Sequence, residues 1–211
     1  MFNTPKISLS EFSDSLRNLL ADRPLSRPFI CRGSPLDCQV MLVGFNAATP
    51  MQAGFLDFWS DHEGFDFKAW QQAYVAERQA KGKAAHSATR RNLNRLQTAV
   101  TAPNVSGSAI LETNIFDYPS ANKKQLLKTQ QDTQIFDFLL HSVQPKIVIS
   151  HGKDANQYLA NRYQQQVNQD NWVELTHQGQ TFCWYATSHL SRGWSYDKLD
   201  ALGQHIAEKL S

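Results

Sequence analysis

Three polar side chains in this sequence have the chemistry to recognise a ring and to stabilise charge, and each follows a short apolar run. They are Asn46, Asn114 and His189. A carboxamide carries a donor and an acceptor on one group, so it can read the edge of a heterocyclic ring or hold a water molecule. An imidazole N–H stabilises negative charge that develops on an oxygen when the site excludes water. These residue types favour the binding of a polar ring and the departure of an anionic leaving group.

The elements that would position these side chains are four buried strands. Short apolar runs at 40–43, 109–111, 146–149 and 182–186 predict them. Helical patterns separate the runs, and strands that alternate with helices of this length need crossover connections. We therefore predict a single α/β domain over residues 1–211. Its fold class would be a three-layer α/β/α sandwich with a central four-stranded, mainly parallel sheet.

Apolar residues at helical spacing predict six helices around this sheet. The first begins at a capping box, Ser8-Leu9-Ser10-Glu11, and ends before Pro24. The other five are marked by apolar periodicity at 67–75, 93–100, 135–143, 155–159 and 199–210.

Ligands of such sheets bind beyond the carboxyl ends of the strands. The stretches that follow the four apolar runs contain GFNAATP, TNIFDYP, SHGKDA and SHLSRGW, and all four are polar. Because parallel strands bring these ends to one edge, we expect Asn46, Asn114 and His189 to meet there. His151-Gly152-Lys153, at the third strand end, could also bind an anion.

Composition indicates a globular chain: 211 residues, 41% apolar, 11% aromatic and a net charge of +2, which neither demands nor excludes an anionic partner. Three cysteines without a CxxC pair fit a reducing compartment. No signal-peptide pattern begins the chain and no apolar run reaches 18 residues, so we expect a cytoplasmic protein without a membrane partner. The seven histidines show no HxxxH spacing, and Walker and GxSxG patterns are absent, so we predict no metal and no cofactor.

Three strand ends resemble motifs of the uracil-DNA glycosylase superfamily, in the same order along the chain. Gly44-Phe45-Asn46 is similar to its first motif, Thr113-Asn114-Ile115-Phe116 to its second-strand end, and Ser188-His189-Leu190-Ser191-Arg192-Gly193-Trp194 to the loop after its fourth strand. Two prolines of the family pattern are missing. Ala47 and Leu190 stand in their positions, and Pro50 comes late.

The resemblance implies a monomeric DNA glycosylase that hydrolyses the N-glycosidic bond of uracil or another deaminated base in DNA. Such an enzyme takes the base out of the stack and holds it in a closed pocket. Asn46 would orient the attacking water without acting as a general base, because an amide has no useful proton affinity. His189 would stabilise charge on the departing base. Gly44, Phe45 and Asn114 would bind the base, and Phe55 or Phe58 would be the aromatic platform on which it stacks.

A DNA-binding surface is predicted from two segments. The last loop would push Leu190 or Trp194 into the duplex, and the basic stretch ERQAKGKAAHSATRRNLNRL, residues 77–96, would track phosphates. The DNA-binding residues that we predict are Arg90, Arg91, Leu190, Ser191, Arg192 and Trp194. Ser87, Thr89 and Arg90 could instead form an anion site at a helix N-terminus.

Other interpretations stay open at the level of sequence. The missing prolines favour a binding module that keeps the fold without catalysis, and a hydrolase of free nucleosides or nucleotides needs no basic surface. Asn46 could serve only as a turn former. The aromatic residues after Gly54, and Trp194, could belong to the core.

Overall fold

The computed structural model describes residues 7–47, 51–100, 109–120 and 123–210. The helices in these ranges are α1 (Leu9–Leu20), α2 (Phe67–Ala80), α3 (Ala88–Val100), α4 (Gln134–Val143), α5 (Lys153–Arg162) and α6 (Tyr196–Leu210). The strands are β1 (Phe29–Ile30), β2 (Cys38–Asn46), β3 (Trp59–Ser60), β4 (Gly64–Phe65), β5 (Ala109–Phe116), β6 (Ile147–His151), β7 (Trp172–His177) and β8 (Gln180–Thr187). The six predicted helices are confirmed. Pro50 lies outside the described residues.

The capping box predicted for α1 is present. The Ser8 backbone N–H donates to Glu11 Oε2 at 2.7 Å, and the Glu11 N–H donates to Ser8 Oγ at 3.2 Å. These two bonds satisfy amide groups that a helix start leaves without partners. None of the helices in the described ranges combines the length and the apolar composition needed to cross a membrane.

Six strands form one mixed sheet in the order β1-β5-β2-β6-β8-β7. The four central strands are parallel, whereas β1 and β7 pair antiparallel at the two edges. The prediction of a four-stranded sheet is therefore wrong, because the four predicted runs form only its parallel centre. A two-residue strand such as β1 carries no periodicity to detect. β7 joins β8 through Gln178 and Gly179, both at positive φ, and a Gln at the first of these positions is not a typical hairpin signal.

Helices cover both faces of the sheet. Val40 and Leu42 of β2 belong to an apolar cluster with α3 and α6. Met41 and Val43, which point to the other face, belong to a cluster that contains residues of α1 and α4. A continuous apolar run in β2 is thus explained by burial on both sides.

The helix layer of α3 and α6 depends on one small residue. A Cβ placed on Gly203 of α6 would lie 2.4 Å from the Ala99 Cβ and 3.0 Å from the Ala99 carbonyl carbon of α3. The second contact is with backbone, so a side-chain rotation cannot relieve it. The two helices therefore approach as closely as they do because residue 203 has no side chain.

We expect Gly203→Ala to lower the free energy of unfolding by about 1–3 kcal/mol, the usual cost of overpacking. In an exposed helix the same change raises helix stability by about 1 kcal/mol. Urea denaturation of the wild-type and variant proteins measures the difference. An unchanged or increased stability would show that α3 and α6 are not in tight contact at this position.

Candidate functional site

A cavity of about 420 Å³ opens at the carboxyl ends of the four parallel strands. Asn46 and Asn114 reach its wall from β2 and β5, His151 from β6, and His189 from the segment after β8. The structure therefore brings Asn46, Asn114 and His189 to one cavity, at the edge of the sheet where parallel α/β folds bind ligands. Its volume lies in the range of small-molecule sites.

Among the described residues, the side chain of Asn46 is hydrogen-bonded at its amide nitrogen and not at its oxygen. Its Nδ2 donates to Ser120 Oγ at 2.8 Å, to the Ser120 carbonyl at 3.0 Å and to the Ala47 carbonyl at 3.1 Å. The Ser120 N–H in turn donates to the Ala47 carbonyl at 2.8 Å. Because the amide nitrogen is committed to these partners, Oδ1 is the group of Asn46 that can accept a hydrogen bond from a ligand or a water.

The side chain of Asn114 lies close above Gly44 of β2, and this close approach requires a glycine at residue 44. A Cβ on Gly44 would stand 2.5 Å from Asn114 Oδ1 and 3.3 Å from His151 Nε2. Within the described ranges the Asn114 side chain forms no hydrogen bond, so its donor and its acceptor both stay available to a ligand. Gly44 thus contributes space rather than a functional group.

Hydrogen bonding with Ser191 fixes the tautomer of His189. The Ser191 N–H donates to His189 Nδ1 at 3.2 Å, and Ser191 Oγ lies 2.8 Å from the same atom. Since Nδ1 accepts, the neutral ring carries its hydrogen on Nε2. Burial lowers the pKa of His189, and the charge of Arg192 lowers it further. At neutral pH the ring is therefore a neutral donor.

A second imidazole packs against the first. The rings of His151 and His189 meet edge to face with centroids 5.0 Å apart. Burial, and then the neighbouring His189, lower the pKa of His151 to about 3. Its Nδ1 is buried without a hydrogen-bond partner in the described part of the chain. Two imidazoles do not make a metal site by themselves, and nowhere in the described ranges do three His, Cys, Asp or Glu side chains gather closely enough to hold an ion.

A buried polar network fixes the strand ends that carry these histidines. Trp184 Nε1 donates to Ser150 Oγ at 2.8 Å, and Ser150 Oγ donates to Asn156 Oδ1 at 2.7 Å. Asn156 Nδ2 then donates to the Thr187 carbonyl at 2.9 Å. This network joins β6, α5 and β8, so the positions of His151 and His189 depend on it.

One part of the cavity wall is formed by the buried Arg90, the half-buried Arg27 and Glu112. Arg90 is nearly fully buried and pairs with Glu112 through both of its terminal nitrogens, at 2.8 Å and 2.7 Å. Its guanidinium carbon also stands 4.9 Å from the centre of the Trp70 ring. Burial, and then the charge of Arg90, lower the pKa of Arg27 to about 10. Arg90 is therefore part of the cavity rather than of an exposed phosphate-tracking surface.

Other residues singled out in the sequence lie away from the cavity. Phe55 packs on Phe29 and Phe65, with ring centroids 4.8 Å and 5.3 Å apart, and Phe58 is buried beside Phe65. Phe45, next to the last residue of β2, does line the cavity.

In the last loop Leu190 is fully buried, and its carbonyl accepts a hydrogen bond from Asn92 Nδ2 at 2.6 Å. In this conformation it anchors the loop rather than projecting from it. Trp194 packs partly against the cluster of α3 and α6. Arg91 and Arg192 are exposed and do not line the cavity.

Sequence reasoning missed several cavity residues. Arg27 and Glu112 follow no local motif, since they meet only because β1 pairs with β5 in the register Ile30↔Glu112. His151 was expected only as part of an anion site, although its place directly after the third apolar run marked it as a residue of this edge. Tyr74 was assigned to a helix face and also lines the cavity.

The sequence matches no protein-family model and no curated protein. Function must therefore be inferred from the residues of the cavity and their geometry.

The buried His151 should make stability depend on pH. Its pKa in the folded protein is about 3, whereas an unfolded histidine titrates near 6.5. The unfolded chain therefore binds the proton more readily between these values, and stability falls as the pH drops from about 6.5 toward 3. From pH 7 to pH 5 the expected loss is about 2 kcal/mol.

Urea denaturation at pH 7 and pH 5 measures this loss. His151→Gln should reduce the difference between the two pH values, whereas His205→Gln, at an exposed position of α6, should keep it. Equal pH dependence in wild type and His151→Gln would contradict the assignment of a buried neutral ring.

Proposed function

We propose that this protein is a DNA glycosylase of the uracil-DNA glycosylase type, acting on uracil or another deaminated base in DNA. The observation that carries the proposal is that Asn46, Asn114 and His189 come from three separate strand ends and line one cavity. The parallel centre of the sheet, with helices on both faces, supports a uracil-DNA glycosylase-like sandwich to which two antiparallel edge strands are added.

Base recognition would come from Asn114 and Phe45. The carboxamide of Asn114 offers a donor and an acceptor to the edge of a uracil-like ring, which presents the complementary pair. Phe45 offers an aromatic surface in the same cavity, and its ring is held at one side by Phe116, edge to face at 5.1 Å. A flipped base would be read and stacked by residues of two adjacent strands.

Bond cleavage would use His189 and Asn46. As the bond between the sugar C1′ and the base nitrogen breaks, its electron pair moves onto the base and the negative charge spreads to the carbonyl oxygens. The neutral His189 donates from Nε2 to such an oxygen. Asn46 Oδ1 holds a water that adds to C1′, and the proton which this water loses passes to the base or to solvent, because the amide does not take it.

The two missing prolines do not leave the loops without support. The Ala47 carbonyl accepts from the Ser120 N–H and from Asn46 Nδ2. Leu190 is anchored by its buried side chain and by Asn92. These contacts hold Asn46 and His189 in place by packing and hydrogen bonds, which supports an active enzyme over a binding module with an open site.

DNA would bind across the cavity mouth. Arg91 and Arg192 are exposed cations on two segments whose neighbouring residues, Arg90 and His189, line the cavity. They would contact phosphates on either side of a flipped nucleotide. Ser191 would act indirectly through its bonds to His189, and Trp194 would contact DNA only after leaving its packed position.

The direct test is alkali-induced strand cleavage of oligonucleotides that contain uracil, hypoxanthine or xanthine. We expect cleavage of at least one of them, and His189→Ala should lower the rate about 100-fold or more, as the loss of a charge-stabilising donor does in other enzymes. His205→Ala is the matched control and should keep the wild-type rate. No product from any of the three oligonucleotides would refute the proposal, and binding without turnover would indicate a binding module.

A second test addresses the space above β2. In Gly44→Ala the new Cβ would displace the Asn114 amide, and we expect the rate of base release to fall about tenfold or more. The displaced atoms are ends of side chains, so the free energy of unfolding should change by less than about 1 kcal/mol.

Gly54→Ala is the control for the glycine change, because its Cβ would have no neighbour closer than 3.7 Å and residue 54 lies outside the cavity. Full activity in Gly44→Ala would show that the position of Asn114 does not matter for the reaction.

A further inference from the structure

The positive charge of this protein is concentrated in its cavity. Among the residues that the structure describes, five cationic side chains line the wall, against two carboxylates, Glu112 and Asp154; the five are Arg27, Arg78, Arg90, Lys123 and Lys153. With the histidines neutral, the lining carries an excess of three positive charges, which exceeds the net charge of +2 of the whole chain. The rest of the protein is therefore close to neutral or slightly acidic.

The wall of Arg27, Arg90 and Glu112 is built at a cost in free energy. Arg90 is buried and Arg27 is half-buried, and Arg90 already uses both oxygens of Glu112. The charge of Arg90 opposes that of Arg27, as the lowered pKa of Arg27 shows. Removing two like charges from water is unfavourable unless negative groups offset them, and the charges of Glu112 and Glu77 do so for Arg27. A bound anion would add to this compensation.

Specific contacts bring Arg27 to this wall. The Arg27 N–H donates to the Asp117 carbonyl at 2.8 Å, and Thr113 Oγ1 donates to the Pro28 carbonyl at 2.6 Å. Phe29 and Ile30 then pair with Thr113 and Glu112 of β5. The edge strand β1 thus holds a cation against the carboxyl end of a central strand.

We propose that the cavity binds a phosphoryl group, and that the wall of Arg27 and Arg90 is its subsite. Guanidinium groups bind phosphate oxygens with paired, charge-assisted hydrogen bonds. Lys123 and Arg78 add positive charge to the same cavity, although Lys123 Nζ also forms an ion pair with Asp154 Oδ1 at 2.5 Å. The phosphoryl group belongs either to a free nucleotide or to the backbone of a nucleic acid, and the subsite does not require base release.

Isothermal titration calorimetry at low salt tests this with inorganic phosphate, deoxyuridine monophosphate and deoxyuridine. The monophosphate should bind about tenfold tighter than the nucleoside or better, and inorganic phosphate should compete with it. Arg27→Met and Arg78→Met should each weaken the monophosphate about tenfold and leave the nucleoside unchanged. Arg95→Met is the control, because Arg95 is exposed on α3, pairs with Asp200 and does not line the cavity.

A single-stranded oligothymidylate of nine residues distinguishes the two sources of the phosphoryl group. If Arg27→Met and Arg78→Met weaken the binding of the monophosphate, the subsite is assigned to a free nucleotide. Binding of the oligonucleotide alone, weakened by the same two substitutions, assigns it to a backbone phosphate. If Arg27→Met does not fold, the Arg78→Met variant gives the answer by itself.

Equal affinities for nucleotide and nucleoside with no binding of the oligonucleotide, or affinities that neither cavity substitution changes, would overturn the proposal. A protein that binds phosphoryl ligands in this way but releases no base would refute the glycosylase function alone. If the protein releases the base, and the two substitutions change neither base release nor the affinity for the monophosphate, only the subsite would be refuted.

Discussion

The parallel pairing of β2 with both of its neighbours sets the positions of Asn46, Asn114 and His151 relative to one another. On one side Gly44 lies opposite Asn114 of β5, and on the other Val43 lies opposite Ser150 of β6, one residue before His151. Because side chains alternate along a strand, a slip by one residue would exchange the two apolar clusters and move these groups to the wrong face. The burial of β2 on both faces makes such a slip costly, so the core that stabilises the fold also fixes the site.

The cavity has two walls that obey different electrostatic rules. On one wall His151 is buried and neutral, and partial desolvation lowers the pKa of the more exposed His189, so their rings act through shape and through single hydrogen bonds. On the other, Arg27 and Arg90 retain their charges beside Glu112, so that wall acts through its field. A ligand with an uncharged polar ring and an anionic group would match both walls, and this links the proposed base chemistry with the proposed phosphoryl subsite.

Local pattern predicted the helices, the four parallel strands and the meeting of Asn46, Asn114 and His189, because each depends on periodicity or on the position of strand ends. It did not predict β1 or the place of Arg27, since a two-residue strand and a tertiary ion pair leave no trace in neighbouring residues. Sequence also could not separate Phe45 from Phe55 as the aromatic residue that reaches the cavity, for a related reason. Phe45 lies at the end of β2 and Phe55 lies nine residues after it, and only the packing of Phe55 on Phe29 and Phe65 separates them.

The antiparallel edge strand β1 also defines how much of the chain forms the functional unit. The parallel centre of the sheet begins only at Cys38, so residues 7–37 resemble an optional extension when the chain is divided by its topology. Yet Phe12 and Leu16 of α1 are fully buried, and Arg27 stands in the cavity wall. A shortened domain that started at β2 would be missing part of its hydrophobic core together with one side of its ligand site. In this protein α1 therefore belongs to the folded unit through its core contacts, and the segment before β1 belongs to the ligand site through Arg27.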